Sequence, residues 1–122
     1  MAVMDARGAL AVAAVWAMAV PWIARALGQT LDVTTRLEVI DHVVPGAAVL
    51  VCCALAGAAG EFVRLSAAGV ALLAGLWITA THVTLVSEAA DGITPWGAAL
   101  LHLSAGPPVL LLSLWMLLRD GG

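Results

Sequence analysis

Three histidines are the side chains of this sequence best able to do acid–base or metal-ligand chemistry within apolar segments. His42 stands at the start of one apolar run, His82 lies about four residues before the end of the next, and His102 lies about five residues into the last. If these runs are helices of alternating direction, all three positions fall near the same end of a bundle. At about 1.5 Å per residue, His82 and His102 then lie roughly 6–8 Å below one surface. The sequence therefore predicts that His82 and His102 approach each other, with His42 nearer the surface.

Two interpretations of this histidine layer follow from imidazole chemistry. Neutral imidazole is a ligand for iron, copper and zinc, and two histidines on different helices can bind haem axially. His42, His82 and His102 are thus candidate contacts for haem b, a quinone or a metal whose identity the sequence leaves open, although their spacing matches no ligand motif. Under the other interpretation each ring hydrogen-bonds a threonine, a free carbonyl or water, and no cofactor is required.

Prolines and hydroxyl side chains collect around the histidine layer. Pro21 has no N–H, so the carbonyl of Ala17 loses its helical partner, and Pro107 and Pro108 free two more carbonyls. Hydroxyl groups lie nearby in the sequence, at Thr79, Thr81, Thr84 and Ser104. Unpaired backbone is tolerated at membrane depth only where protein or water satisfies it. We therefore expect a polar pocket, or a contact with another polypeptide, in this half of the bundle.

The composition indicates which solvent surrounds these elements. Of the 122 residues, 63% are hydrophobic and 11% are charged, and the mean hydropathy is +1.07. Soluble domains are about half apolar and a quarter charged, and a globule of this size could not hide so much apolar surface. The expected partner is the lipid bilayer. Nucleic acid is excluded as a partner because the net charge is −3 and no basic block occurs.

Four stretches approach the roughly 20 apolar residues that one transmembrane helix requires. They run near 8–26, 42–60, 66–86 and 95–118, the last one introduced by Thr94 and Pro95 as N-cap and first helical residue. The segment 28–41 is too polar to span and is predicted to be an interfacial loop or short helix. The predicted fold is an all-α integral membrane protein, with residues 1–122 forming one small four-helix bundle.

An internal duplication is one further expectation. A shift of 60 residues sets His42 on His102 and Gly46 on Gly106, and a shift of 61 sets Trp16 on Trp77. The chain would then consist of two copies of one helical hairpin in a parallel repeat. Such matches also arise easily in a chain rich in alanine, valine and leucine, so both explanations stay open.

Arginine placement predicts the orientation. Arg7, Arg64 and Arg119 lie on the side of the termini, against Arg25 and Arg36 on the other side. Basic residues favour the cytoplasmic side, so we expect both termini in the cytoplasm. The absence of lysine beside abundant alanine, glycine and arginine suggests a bacterial protein, and the expected location is the bacterial inner membrane.

The functional expectation rests on what the predicted spans lack. They contain no Asp or Glu, which disfavours a proton-coupled transporter, and no serine–histidine–acid arrangement can be placed. We therefore expect a protein that is not an enzyme: a small accessory or assembly subunit embedded in a larger respiratory or transport complex, with other membrane subunits as partners. The alternative is a haem- or quinone-contacting subunit of a membrane redox complex that uses the histidine layer.

The predicted topology can be tested by cysteine labelling. Thr35→Cys and Asp91→Cys, each in a background lacking Cys52 and Cys53, should react in intact cells with a thiol reagent that cannot cross the membrane. Both positions lie on the side opposite the termini. Labelling only after lysis would mean that the orientation is the reverse of the predicted one. Labelling of one position alone would mean that one of the four predicted spans does not cross the membrane.

Overall fold

The computed structural model describes residues 5–31, 33–58 and 60–120, and the regular structure in these ranges is helical. A π-helical turn, Val39–Val43, connects the second helix to the third. The α-helices are α1 (Ala6–Ala26), α2 (Thr35–Glu38), α3 (Val44–Ala58), α4 (Glu61–His82), α5 (Leu85–Ala90), α6 (Trp96–Leu103) and α7 (Gly106–Asp120).

These elements combine into four helices that are long and apolar enough to cross a membrane. We name them spans 1 to 4, and they cover Ala6–Ala26, Thr35–Gly57, Glu61–Ala90 and Trp96–Arg119. Each length matches or exceeds the roughly 20 residues that a bilayer requires. The prediction of an all-helical chain with four apolar helices is confirmed, and this architecture suggests a multi-pass membrane protein.

The structure differs from the predicted boundaries most in span 2, which begins at Thr35 instead of residue 42. Thr34 caps this helix, since its hydroxyl accepts a hydrogen bond from the Leu37 N–H at 3.3 Å. The helix then continues through the π turn into α3. The part of the 28–41 segment that follows Thr34 is therefore helical and belongs to span 2, with Arg36 exposed and Glu38 buried.

The four spans pack as a ring in which each contacts its neighbours in sequence. Span 1 packs against spans 2 and 4, and span 3 packs against the same two spans. The core between them is built mostly from alanine, which lets helices approach closely where lipid supplies no hydrophobic drive. The larger fully buried apolar residues are Leu10, Val20, Val49, Ile78 and Val109.

Large apolar side chains cover the outside of the bundle. The leucine-rich face of α7 is exposed, with Leu111 63% and Leu118 70% accessible. Because lipid tails are as apolar as leucine, such a surface suits a bilayer and would be costly in water. The exposed set includes Phe62, Leu73, Leu76, Trp77, Leu111 and Leu118.

The two halves of the chain are built differently, and the structure gives the duplication no support. Span 2 carries the π turn, whereas span 4 is interrupted by a turn at Ser104 and Ala105, before Pro107 and Pro108. Trp16 Nε1 donates to Ser104 Oγ at 3.0 Å, which ties span 1 to this interruption. Its counterpart under the repeat, Trp77, is 52% exposed.

Two glycines allow a close backbone contact between spans 3 and 4. A Cβ at Gly75 would lie 2.5 Å from the backbone nitrogen of Leu110, and one at Gly106 would lie 2.6 Å from that of Thr79. Only residues without a Cβ permit this approach. The contact lies two helical turns before His82 and one turn after His102, so it fixes the separation of the two helices beside these histidines.

Gly75→Ala should destabilise the protein, because the new methyl group overlaps backbone atoms that cannot rotate away. The expected loss is about 1–3 kcal/mol in the free energy of unfolding, measured by reversible denaturation in detergent. Gly69→Ala on the same helix is the matched control, since nothing lies within 4 Å of its Cβ position. Equal stability of the two variants would contradict the close contact.

Candidate functional site

Three spans bring their histidines into one buried cluster. His42 lies in the π turn of span 2, His82 ends α4, and His102 lies in the last turn of α6. Their exposures are 1%, 5% and 1%. The ring centroids of His42 and His82 are 4.5 Å apart, and those of His82 and His102 are 6.0 Å apart. His42, expected nearer the surface, is thus as deeply buried as the other two.

The ring of His42 is held by the carbonyl that Pro21 leaves free. Because Pro21 has no N–H, the carbonyl of Ala17 has no helical partner in span 1. His42 Nδ1 lies 3.1 Å from this oxygen and donates to it across the two spans. A proline in one helix therefore orients a histidine in the next.

His82 and His102 are oriented by carbonyls of their own helices. His82 Nδ1 lies 2.7 Å from the oxygen of Ile78, and His102 Nδ1 lies 2.9 Å from that of Ala98. A carbonyl oxygen can only accept, so every Nδ1 in the cluster carries a proton, and in the neutral ring Nε2 holds the lone pair. Histidines that ligate metals are oriented by this same hydrogen bond from the second ring nitrogen.

The Nε2 atoms of His42 and His82 face each other at 3.0 Å. In the neutral rings these are two lone pairs, which repel. One positive charge between the nitrogens removes the conflict: either a proton that the two rings share or a metal ion that both ligate. Two nitrogen ligands of tetrahedral Zn²⁺, with bonds of about 2.0–2.1 Å, stand roughly 3.3 Å apart, close to the observed separation.

Glu38 supplies a negative charge beside the third histidine. Its side chain is 6% exposed, and Oε1 lies 3.8 Å from Nε2 of His102. Among the described residues, neither His102 Nε2 nor the second Glu38 oxygen, Oε2, has a hydrogen-bond partner. Buried polar atoms without partners are uncommon and costly, so these two atoms are candidate contacts for a water molecule or a ligand.

A cavity of about 530 Å³ adjoins the cluster and is acidic. Among the described residues, all three histidines line it together with three carboxylates and no arginine. The loops before Thr35 and before Trp96 form its outer wall. A cleft lined by one sign of charge concentrates ions of the opposite sign, so this cavity favours cations. The three carboxylates belong to Glu38, Asp41 and Glu88.

The cluster is not a closed ligand shell. Within residues 5–31, 33–58 and 60–120, no group of three or more His, Cys, Asp or Glu side chains is arranged so that it could hold a metal ion. His102 stands back from the other two rings, and its Nε2 is 3.8 Å from Glu38. Ligation by all four groups would therefore require His102 and Glu38 to move toward the His42–His82 pair.

A haem does not fit between His42 and His82. Axial nitrogens on the two faces of one iron stand about 4 Å apart, twice a metal–nitrogen bond of about 2 Å, with the flat macrocycle between them. The observed nitrogens are 3.0 Å apart and the ring centroids 4.5 Å. This pair leaves no space for a macrocycle.

Glu38 is the site residue that sequence analysis missed. The polar segment before His42 was interpreted as interfacial, which assigned its carboxylates to a loop. In the structure Glu38 and Asp41 lie in span 2 and Glu88 lies in span 3, so the expectation of spans without carboxylates is corrected. The available indication was spacing, because residues four apart on a helix share a face and Glu38 precedes His42 by four.

In comparisons with protein-family models, curated proteins and solved structures, none matches this chain. The function is therefore argued from the histidine cluster and its cavity.

Proposed function

We propose that this protein is a multi-pass membrane protein that binds a divalent transition-metal ion of the Zn²⁺ class at its histidine cluster. His42 and His82 are the first ligands, and His102 and Glu38 complete the site. The observation that carries the proposal is the 3.0 Å contact between two Nε2 atoms whose Nδ1 partners are carbonyl oxygens. That contact needs a cation, and the acidic cavity beside it attracts one.

The donor set narrows the class of metal. Imidazole nitrogen suits zinc, copper, iron and nickel, whereas calcium and magnesium require oxygen ligands. Thiolates do not take part, because Cys52 lies ten residues beyond His42, about 15 Å along the helix. The Glu38 carboxylate reduces the net charge of the occupied site, which lowers the cost of burying the ion.

Under the proposed orientation, the histidine cluster lies near the side of the membrane opposite the cytoplasm. The arginine distribution supports cytoplasmic termini, and the histidine cluster lies at the opposite end of the bundle. A metal ion would then enter from outside the bacterial inner membrane, past Asp41 and Glu88 in the cavity wall. The protein's own contribution is to concentrate, select and hold the cation.

Metal titration of the purified protein in detergent tests the proposal. We expect one equivalent of Zn²⁺ by calorimetry, and Co²⁺ should give absorption bands typical of nitrogen ligation. His42→Gln and His82→Gln should abolish binding, and Glu38→Gln should weaken it about 10–100-fold. Glu61→Gln makes the same exchange on an exposed residue at the other end of the bundle and should leave binding unchanged.

Two results would overturn the metal proposal. One is undiminished Zn²⁺ affinity in folded His42→Gln and His82→Gln variants, which would locate binding elsewhere. The other is a folded wild-type protein that binds neither Zn²⁺ nor Co²⁺. Nitrogen-15 spectra of its histidines would then show one proton shared between the two Nε2 atoms.

We propose as a second candidate the role of accessory or assembly subunit in a larger bacterial membrane complex. The connections between spans support it, because the described chain has only short links before Thr35, Glu61 and Trp96. In one form of this role, the protein is a subunit of a membrane redox complex and its histidines contact a haem or a quinone. With Nδ1 protonated, their Nε2 atoms would accept a hydrogen bond from a quinol hydroxyl.

Extraction of native membranes with a gentle detergent tests the subunit role. The protein should migrate with stoichiometric partners, and a dissociating detergent should release it as a control. Migration as a lone monomer or homo-oligomer would contradict the subunit proposal. The metal proposal would stand unaffected by that outcome.

A further inference from the structure

Three arginines from three different spans converge at the end of the bundle opposite the histidine cluster. Arg7 of α1, Arg64 of α4 and Arg119 of α7 line a pocket of about 210 Å³. Span 2, the remaining span, contributes Gly57, where a Cβ would overlap the guanidinium of Arg7. The absence of a side chain at Gly57 therefore leaves room for this guanidinium.

The pocket carries more positive charge than its own carboxylate balances. Asp5 is the one acid among the described residues that line it, and its Oδ1 accepts a hydrogen bond from the Gly8 N–H at 2.6 Å as the cap of α1. Within residues 5–31, 33–57 and 60–119, no carboxylate forms an ion pair with Arg7, Arg64 or Arg119. The three arginines are exposed and line the same pocket, and an anion bound there would offset the repulsion between their like charges.

We infer that this pocket binds the phosphate of an anionic phospholipid headgroup. The guanidinium fork matches the geometry of phosphate oxygens and can bind them in a bidentate manner. The pocket lies where the four spans end, at the depth of the headgroups of one leaflet, and basic pockets between membrane helices there recognise anionic lipids. A lipid phosphate is therefore the anion present at the highest local concentration.

The location of the pocket gives the lipid a structural consequence. One phosphate bridging Arg7, Arg64 and Arg119 connects spans 1, 3 and 4. Lipids that bind the folded bundle and not the unfolded chain stabilise it by mass action. Anionic lipid should therefore raise the stability of this protein more than neutral lipid does.

The experiment compares nanodiscs of phosphatidylcholine with nanodiscs that also contain phosphatidylglycerol. Wild-type protein should have a higher midpoint of thermal unfolding in the anionic discs and should retain one phosphatidylglycerol in native mass spectra. Arg64→Gln and Arg119→Gln should each weaken that retention roughly fivefold and reduce the gain in midpoint. Arg36→Gln, an exposed arginine at the histidine end, is the matched control and should behave as wild type.

Three outcomes would overturn the inference. Equal effects of Arg36→Gln and the pocket variants would reduce it to a general response to surface charge. If phosphatidylglycerol does not raise the midpoint of thermal unfolding of the wild-type protein, the pocket is not a lipid site. Full stabilisation by inorganic phosphate in phosphatidylcholine discs would assign the pocket to a soluble anion instead of a lipid.

Discussion

The contact between His42 and His82 is the interaction on which the arrangement of this bundle depends. A polar group buried in an apolar medium must find a partner, and two facing Nε2 atoms at 3.0 Å find one only if a cation joins them. Pro21 contributes the carbonyl that orients His42. The glycine contact between spans 3 and 4 holds these helices close together, and the ring centroids of His82 and His102 are 6.0 Å apart. The histidine cluster thus depends on helix packing, on a free backbone carbonyl and on side-chain contacts.

Charge is separated between the two ends of the molecule. The histidine end carries a cavity with three carboxylates, whereas the opposite end carries a pocket with three arginines. The net charge of −3 arises at the histidine end, because Asp5, Glu61 and Asp120 offset the three arginines at the other end. The linings of the two pockets nevertheless differ in sign, which is why we propose a metal cation as the ligand of one and a phosphate anion as the ligand of the other. The central stretches of the spans, residues 8–24, 43–57, 65–87 and 96–118, contain no Asp, Glu, Lys or Arg.

Much of the fold was predictable, because the length of an apolar run is a local property of the chain. The four spans follow from the charge-poor runs, and the structure bears out their number and helical nature. The start of span 2 was not predictable by the same rule. Arg36, Glu38 and Asp41 made the segment seem too polar for a span, yet the helix tolerates them. Arg36 faces outward, and Glu38 is buried beside His102, a neighbour distant in sequence.

The histidine layer was likewise predictable only in those features that depend on residues close together in the sequence. Span order fixes the depth of each residue, so the sequence alone indicated that His82 and His102 share a level, and Pro21 alone indicated that the Ala17 carbonyl was free. Neither fact says which ring would bind that carbonyl, that the Nε2 atoms of His42 and His82 would meet, or that Glu38 would lie beside His102. Those outcomes depend on the rotation of each helix about its own axis. That rotation is set by side-chain packing between spans, such as the glycine contact at Gly75 and Gly106, and no stretch of sequence within one span contains it.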